Sequence, residues 1–263
     1  MDLLSYFTKK TFDGQVSQDE QCKELIARIE NDYNLNLKPL TLKNLSSYLL
    51  IDMLERIFSR GDITDLPEKI NVLDVGTGEW YYAPALLNFF KFWNGSRQVC
   101  LEGVDFPQKD HQKSIRKLCK NWDLKIHWGD VMDLKEHGRY DIIFMAHMLT
   151  GPRHFKKFKV PYCPPSSMFP KMQSLGKTNG LFIVTAYEWA GEASILNCFE
   201  NKLAEINYNP RVGENLSDAI EGCQGFHDNV ACLFRDPYVN LPACRKREKD
   251  KEEWDKIMSK FDL

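Results

Sequence analysis

The sequence predicts an α/β fold: a doubly wound, mostly parallel sheet with helices on both faces and a helical N-terminal extension. Three observations carry that expectation. Short apolar runs alternate with helical stripes from Ile70 to Tyr187, and strands separated by helices pair in parallel, with the crossovers covering both faces. The first run ends in Gly76-Thr77-Gly78, a turn that lets backbone approach a ligand closely. Asp74, Asp105 and Asp130 stand at the ends of the first three runs, and open parallel sheets bind ligands at the carboxyl ends of their strands.

The elements follow in order. Ser17-Gln18-Asp19-Glu20 has the form of a capping box. Behind it, Cys22, Leu25, Ile26 and Ile29 share one helical face. After the break at Pro39, the residues Leu42, Leu45, Leu49, Met53 and Ile57 form a second stripe, and Gly61 suits its stop. These stripes are too narrow to make a core alone, so both helices need the sheet or a partner chain. Ile70 to Val75 reads as a buried strand. Leu86, Phe89, Phe90 and Trp93 mark a helix with Pro84 in its first turn. Gln98 to Val104 is the second strand, and Ile115, Leu118, Cys119 and Trp122 define the next helix. Leu124 to Trp128, Tyr140 to Ala146 and Gly180 to Tyr187 complete five strands. Beyond them, Ile195 to Ile206 is expected to be helical, 207–228 to be loop, and Asn229 to Phe234 to be a late edge strand. Trp254, Ile257, Met258 and Phe261 repeat helically behind a mixed-charge run at 245–251, a solvated helix face.

Composition narrows the function. A net charge of −2 over 263 residues supplies no overall basic field for nucleic acid. No run approaches the ~18 consecutive apolar residues of a membrane helix, and Asp2 stands where a signal peptide places positive charge. The chain is expected to be cytoplasmic, without a membrane partner. Eight cysteines lie from Cys22 to Cys244 with no C-x-x-C pair, which reads as reduced thiols and suggests no metal site.

The ligand is constrained by charge. A dinucleotide turn needs G-x-G-x-x-G; Gly76 and Gly78 match, but Tyr81 takes the third place, and Asp74 would repel the pyrophosphate. A P-loop needs a G-K-[ST] that does not follow. S-adenosylmethionine reverses the sign, because it carries a sulfonium and an ammonium and no phosphate. Asp74 is then placed to hold the ammonium, with Asp105 and Asp130 as acceptors for ribose hydroxyls and the adenine amine. Taken singly, each acid also reads as a cap of a following turn or helix.

Five segments in order resemble the class I S-adenosylmethionine-dependent methyltransferases. Leu73-Asp74-Val75-Gly76-Thr77-Gly78 resembles that family's first motif, and Leu101-Glu102-Gly103-Val104-Asp105-Phe106 its ribose segment. Gly129-Asp130-Val131 resembles the adenine segment, Tyr140-Asp141-Ile142-Ile143-Phe144 the fourth strand, and 175–184 the later glycine loop and strand. The resemblance implies a Rossmann-like methyltransferase fold with S-adenosyl-L-methionine as cofactor. It implies a binding set of Asp74, Gly76, Gly78, Asp105, Phe106, Asp130, Val131 and Ala146. Two departures stand out: Trp80 replaces the frequent third glycine, and Asn179 replaces a glycine of the later loop.

The expected reaction is methyl transfer to an acceptor that the sequence does not identify, a small molecule or exposed chain in preference to nucleic acid. In-line placement of the nucleophile can supply about 7–11 kcal/mol of such catalysis. His147, directly after the fourth strand, is the candidate general base; it also reads as a histidine bonded to the Gly151-Pro152 loop. His154 and Tyr187 are weaker candidates, and Cys163 reads as a loop thiol. Alternatives stay open: an RNA methyltransferase using the basic, aromatic stretch 151–159, a non-catalytic S-adenosylmethionine-binding protein, or, against the charge of Asp74, a dinucleotide enzyme. The division expected is 1–61 as helical extension and lid over the acceptor pocket, 62–241 as the cofactor-binding methyltransferase domain, and 242–263 as an amphipathic C-terminal helix.

Overall fold

A computed structural model describes residues 20–38, 40–93, 95, 98–146, 148, 161–187, 193–208 and 229–258. Two helices come first, α1 (Glu20–Asp32) and α2 (Leu42–Arg60). An alternation follows of β1 (Lys69–Val75), α3 (Ala83–Phe92), β2 (Gln98–Asp105), α4 (Lys109–Trp122), β3 (Lys125–Trp128) and β4 (Tyr140–Ala146). The chain continues through α5 (Pro165–Leu175), β5 (Gly176–Tyr187), the short α6 (Ala193–Leu196), β6 (Lys202–Tyr208), β7 (Asn229–Arg235) and α7 (Leu241–Met258). Among the described residues no helix is long and apolar enough to cross a membrane.

The seven strands form one sheet in the order β3-β2-β1-β4-β5-β7-β6. β1 to β5 pair in parallel, while β7 runs antiparallel to both β5 and β6. Side chains alternate between two cores. Val72, Ile142, Ile183 and Leu233 face α1, α2, α3 and α4. Leu73, Ile143, Phe182 and Phe234 face α5, α6 and α7.

The tail of the sheet departs from the sequence reading. Residues 202–208 are strand, where a helix over Ile195 to Ile206 was expected. Only Ala193–Leu196 is helical there. Ala204, Ile206 and Tyr208 point inward while Leu203, Glu205 and Asn207 do not, a period of two. Because β6 takes the edge, β7 is an interior strand. The helix α5 was not anticipated; Pro164, Pro165 and Pro170 argue for loop, but Met168, Phe169, Met172 and Leu175 are buried against the second core.

α2 is more deeply placed than a narrow stripe implies. Every residue from Leu45 to Leu54 is buried, so α1, α3 and the sheet enclose nearly three turns of it. Thr41 caps its start, the hydroxyl accepting from the Asn44 amide at 3.2 Å. Its stop is Gly61 for a reason of space: φ is −83°, and a Cβ there would stand 2.8 Å from Leu233 Cδ2. The left-handed residue is the next one, Asp62, at φ 51°. Arg28 forks onto Glu55 at 2.7 Å through each nitrogen, and Tyr208 donates to Asp52 at 3.0 Å, tying α1 to α2 and α2 to β6. The first turn of α2 reaches the carboxyl rim, where Lys43 pairs with Glu79. Ser17 and the other residues of 1–19 lie outside the described residues, and α1 and the rest of α2 cover a face of the sheet.

Candidate active site at the carboxyl rim

The turn after β1 is built by two left-handed glycines, Gly76 at φ 75° and Gly78 at φ 56°. Gly78 faces open space where a Cβ would stand. Asp105, at the end of β2, laces this turn together. Its Oδ2 accepts from the Gly78 amide at 2.5 Å and lies 3.4 Å from the Thr77 hydroxyl; its Oδ1 accepts from the Phe106 amide at 2.7 Å. The carbonyl of Asp105 accepts from the Gly129 amide at 2.9 Å, and the Gly76 amide donates to Val104 at 2.9 Å. The ends of β1, β2 and β3 are thus joined through one residue. Burial pushes the Asp105 carboxyl up, against the pull of the Gly78 and Phe106 amides.

Asp130 caps the short 3-10 turn Val131–Asp133 by accepting from the Met132 amide at 2.9 Å, and Val131 is buried beside it. Phe106 is half-buried and Ala146 closes β4. Glu79, just past the turn, meets Lys43 of α2 and lies 3.8 Å from His111 of α4. The sheet therefore brings Gly76, Gly78, Asp105, Phe106, Asp130, Val131 and Ala146 to one rim.

Asp74 is placed differently. It lies one residue before the end of β1, points into the first core and is 0% exposed. Trp80 Nε1 donates to its Oδ2 at 2.7 Å and the Tyr82 hydroxyl to its Oδ1 at 3.3 Å. Burial pushes its carboxyl up to about 7, although the Trp80 and Tyr82 donors pull the other way. Trp80 and Tyr82 are the hydrogen-bond partners of Asp74, which sequence reasoning did not assign. The available signal was a tryptophan in a turn position that calls for positive φ, which Trp80 adopts at 52°.

His147, His154 and the stretch 151–159 lie outside the described residues, as does the side chain of Tyr187. Cys163 is half-buried, and burial followed by Asp130 and Glu248 pushes its thiol up, which suits a loop thiol and not an activated nucleophile.

A bound S-adenosylmethionine fits this rim in part. Its adenosine half has open backbone at Gly78 and unused lone pairs on Asp105 and Asp130, since a carboxylate offers about four acceptor sites. Its ammonium does not reach Asp74, whose carboxylate is 0% exposed and sealed under Trp80 and Tyr82.

No protein-family model and no curated protein sequence matches the chain. Solved structures resemble it at low identity. One is a chain of a complex between a methyltransferase activator and a candidate methyltransferase from Haloferax volcanii. It is 13% identical with a TM-score of 0.46, covering 75% of this chain and 98% of that one. Another is a candidate class I S-adenosylmethionine-dependent methyltransferase from Listeria monocytogenes, 11% identical with a TM-score of 0.46, covering 82% and 67%. A third is a candidate sarcosine dimethylglycine methyltransferase from Galdieria sulphuraria, 12% identical with a TM-score of 0.43, covering 73% and 85%. On its strand order and the antiparallel β7, the chain has the Rossmann-like fold of the class I methyltransferases.

Proposed function

We propose that the chain binds S-adenosylmethionine at the carboxyl rim and moves its methyl group to a small molecule or an exposed chain. The observation that carries this reading is Asp105, whose two oxygens hold the glycine turn of β1 against the end of β2. That arrangement fixes backbone amides and a carboxylate where a ribose would lie, with Asp130 and Val131 beside the place for adenine. Among the described residues, the acids Asp105 and Asp130 at the rim would repel a phosphate. When bound, the sulfonium supplies an activated methyl group. The part of these residues is to fix the nucleoside so that the methyl faces the acceptor in line, and positioning of that kind is worth about 7–11 kcal/mol at best.

A second reading, a nucleoside-binding protein without transfer activity, draws on the inward turn of Asp74. Titration calorimetry with S-adenosylmethionine, S-adenosylhomocysteine and NAD separates binding from its absence. Transfer of a labelled methyl group to fractionated cell extract separates the two readings. At 100 times its dissociation constant a ligand raises stability by about 2.7 kcal/mol, so a thermal shift reports the same binding. Wild-type affinity in Asp105→Ala, or binding of NAD alone, would sink the assignment.

A further inference from the structure

The inward turn of Asp74 has a local cause. The fully buried indole of Trp80 seats on Gly103, the residue of β2 directly across from Asp74 in register. A Cβ on Gly103 would stand 2.8 Å from the indole Cζ2 and 2.7 Å from Thr77 Cγ2, so glycine is what makes the seat. From there Trp80 reaches Asp74 Oδ2, and Tyr82 covers Oδ1. Both donors are neutral, and among the described residues no cation contributes to the field at Asp74. Over the turn, the Met148 thioether lies so close to Gly76 that a Cβ there would fall 1.9 Å from its Sδ. The β1 end of the rim thus offers a thioether and bare backbone, with its one strand-end acid turned away.

Resting on the nucleoside-binding reading above, we propose that Trp80 determines specificity by withholding Asp74 from the ligand. The site then reads the adenosine and accepts a 5′-thioether with or without an ammonium-bearing tail about equally. Were Asp74 presented, its hydrogen bond to the ammonium would favour the tailed ligand by about 10- to 100-fold.

Calorimetric titration of the full chain with S-adenosylhomocysteine and with 5′-methylthioadenosine, which lacks the amino-acid tail, reads this directly. The two dissociation constants should lie within about tenfold, below the range of a charged hydrogen bond. Asp74→Asn should leave their ratio unchanged. Gly103→Ala, which removes the seat of the indole, should move the ratio towards S-adenosylhomocysteine by about tenfold or more. A wild-type ratio beyond about tenfold with methylthioadenosine binding intact overturns the proposal and leaves the nucleoside site standing, and its abolition by Asp74→Asn would show that Asp74 reads the tail. Binding of neither nucleoside overturns both. Should a variant not fold, the wild-type ratio alone decides on the same threshold.

Discussion

Asp74→Asn should make the protein more stable at pH 8 and leave it nearly unchanged at pH 4. The carboxyl is fully buried and its pKa moves from an ordinary 3.8 to about 7 on folding. The folded chain therefore holds the proton more tightly than the unfolded chain does. Below pH 3.8 both states are protonated and the group costs nothing. Between 3.8 and about 7 the unfolded chain ionises while the folded one does not, so stability falls as pH rises. Above about 7 both are ionised and the loss is complete. The gap is roughly three pH units, which at 1.36 kcal/mol each is about 4 kcal/mol. Asparagine never ionises, and its oxygen still accepts from Trp80. Urea unfolding of both proteins at half-unit intervals from pH 4 to pH 8 gives the difference in unfolding free energy directly. It should grow by about 4 kcal/mol in favour of the variant. A difference that stays flat across this range, or grows in favour of the wild type, refutes the placement of Asp74 as a buried acid held only by the Trp80 and Tyr82 donors among the described residues.

Glu102 works in the opposite sense. It is 1% exposed, and burial alone would raise its carboxyl. His127 at 2.8 Å, Arg139 and Tyr140 at 3.1 Å outweigh that and hold it below the ordinary 4.5. Glu102→Gln should cost about 2–3 kcal/mol at pH 7, less than a fully buried pair because His127 and Arg139 are a third exposed. The deficit in urea unfolding should shrink as pH falls through the depressed carboxyl value. Thr185 has the one buried side-chain oxygen without a hydrogen-bond partner among the described residues. Thr185→Val should therefore gain about 1 kcal/mol and raise the melting temperature by about 2–4 °C; a lower melting temperature would show that the hydroxyl has a partner in solution. Between Gly176 and Leu181, β5 slips register against β4, and neighbouring positions there should respond unequally in the same assay. Asn179 already sits at φ 63°, so Asn179→Gly should change stability by under about 0.5 kcal/mol. Gly180→Ala drives a Cβ to 2.8 Å from the Lys177 carbonyl and should cost about 1–3 kcal/mol.

The strands that make the rim were legible because each is a short apolar run closed by a local stop signal. Gly76 and Gly129 provide two such stops, and both have positive φ. Their joint order made Asp105 and Asp130 stand out from ordinary caps. The direction in which Asp74 points was not legible. It depends on an indole arriving from six residues later and on the missing side chain of Gly103, a contact between strands that no local pattern encodes. Residues 202–208 were misread because Leu203 and Ile206 satisfy a helical spacing as readily as Ala204, Ile206 and Tyr208 satisfy a strand's. The choice is made by pairing with β7. The depth of α2 was hidden for a related reason: its serines and Asp52 look like an outer face until α1, Arg56 and Tyr208 supply their surroundings.

That depth bears on how the chain is made. Leu45 to Leu54 leave a ribosome well before β6, which is part of their cover, because Asp52 and Tyr208 are 156 residues apart. At about 5–20 residues per second the helix waits roughly 8–30 s for that cover. During this interval an apolar cylinder is exposed, with α1 and α3 as its first shelter. A chain arrested before β6 emerges should be the species that aggregates or recruits chaperones, and the emergence of β6, not the formation of α1 and α2, should set when this cover closes.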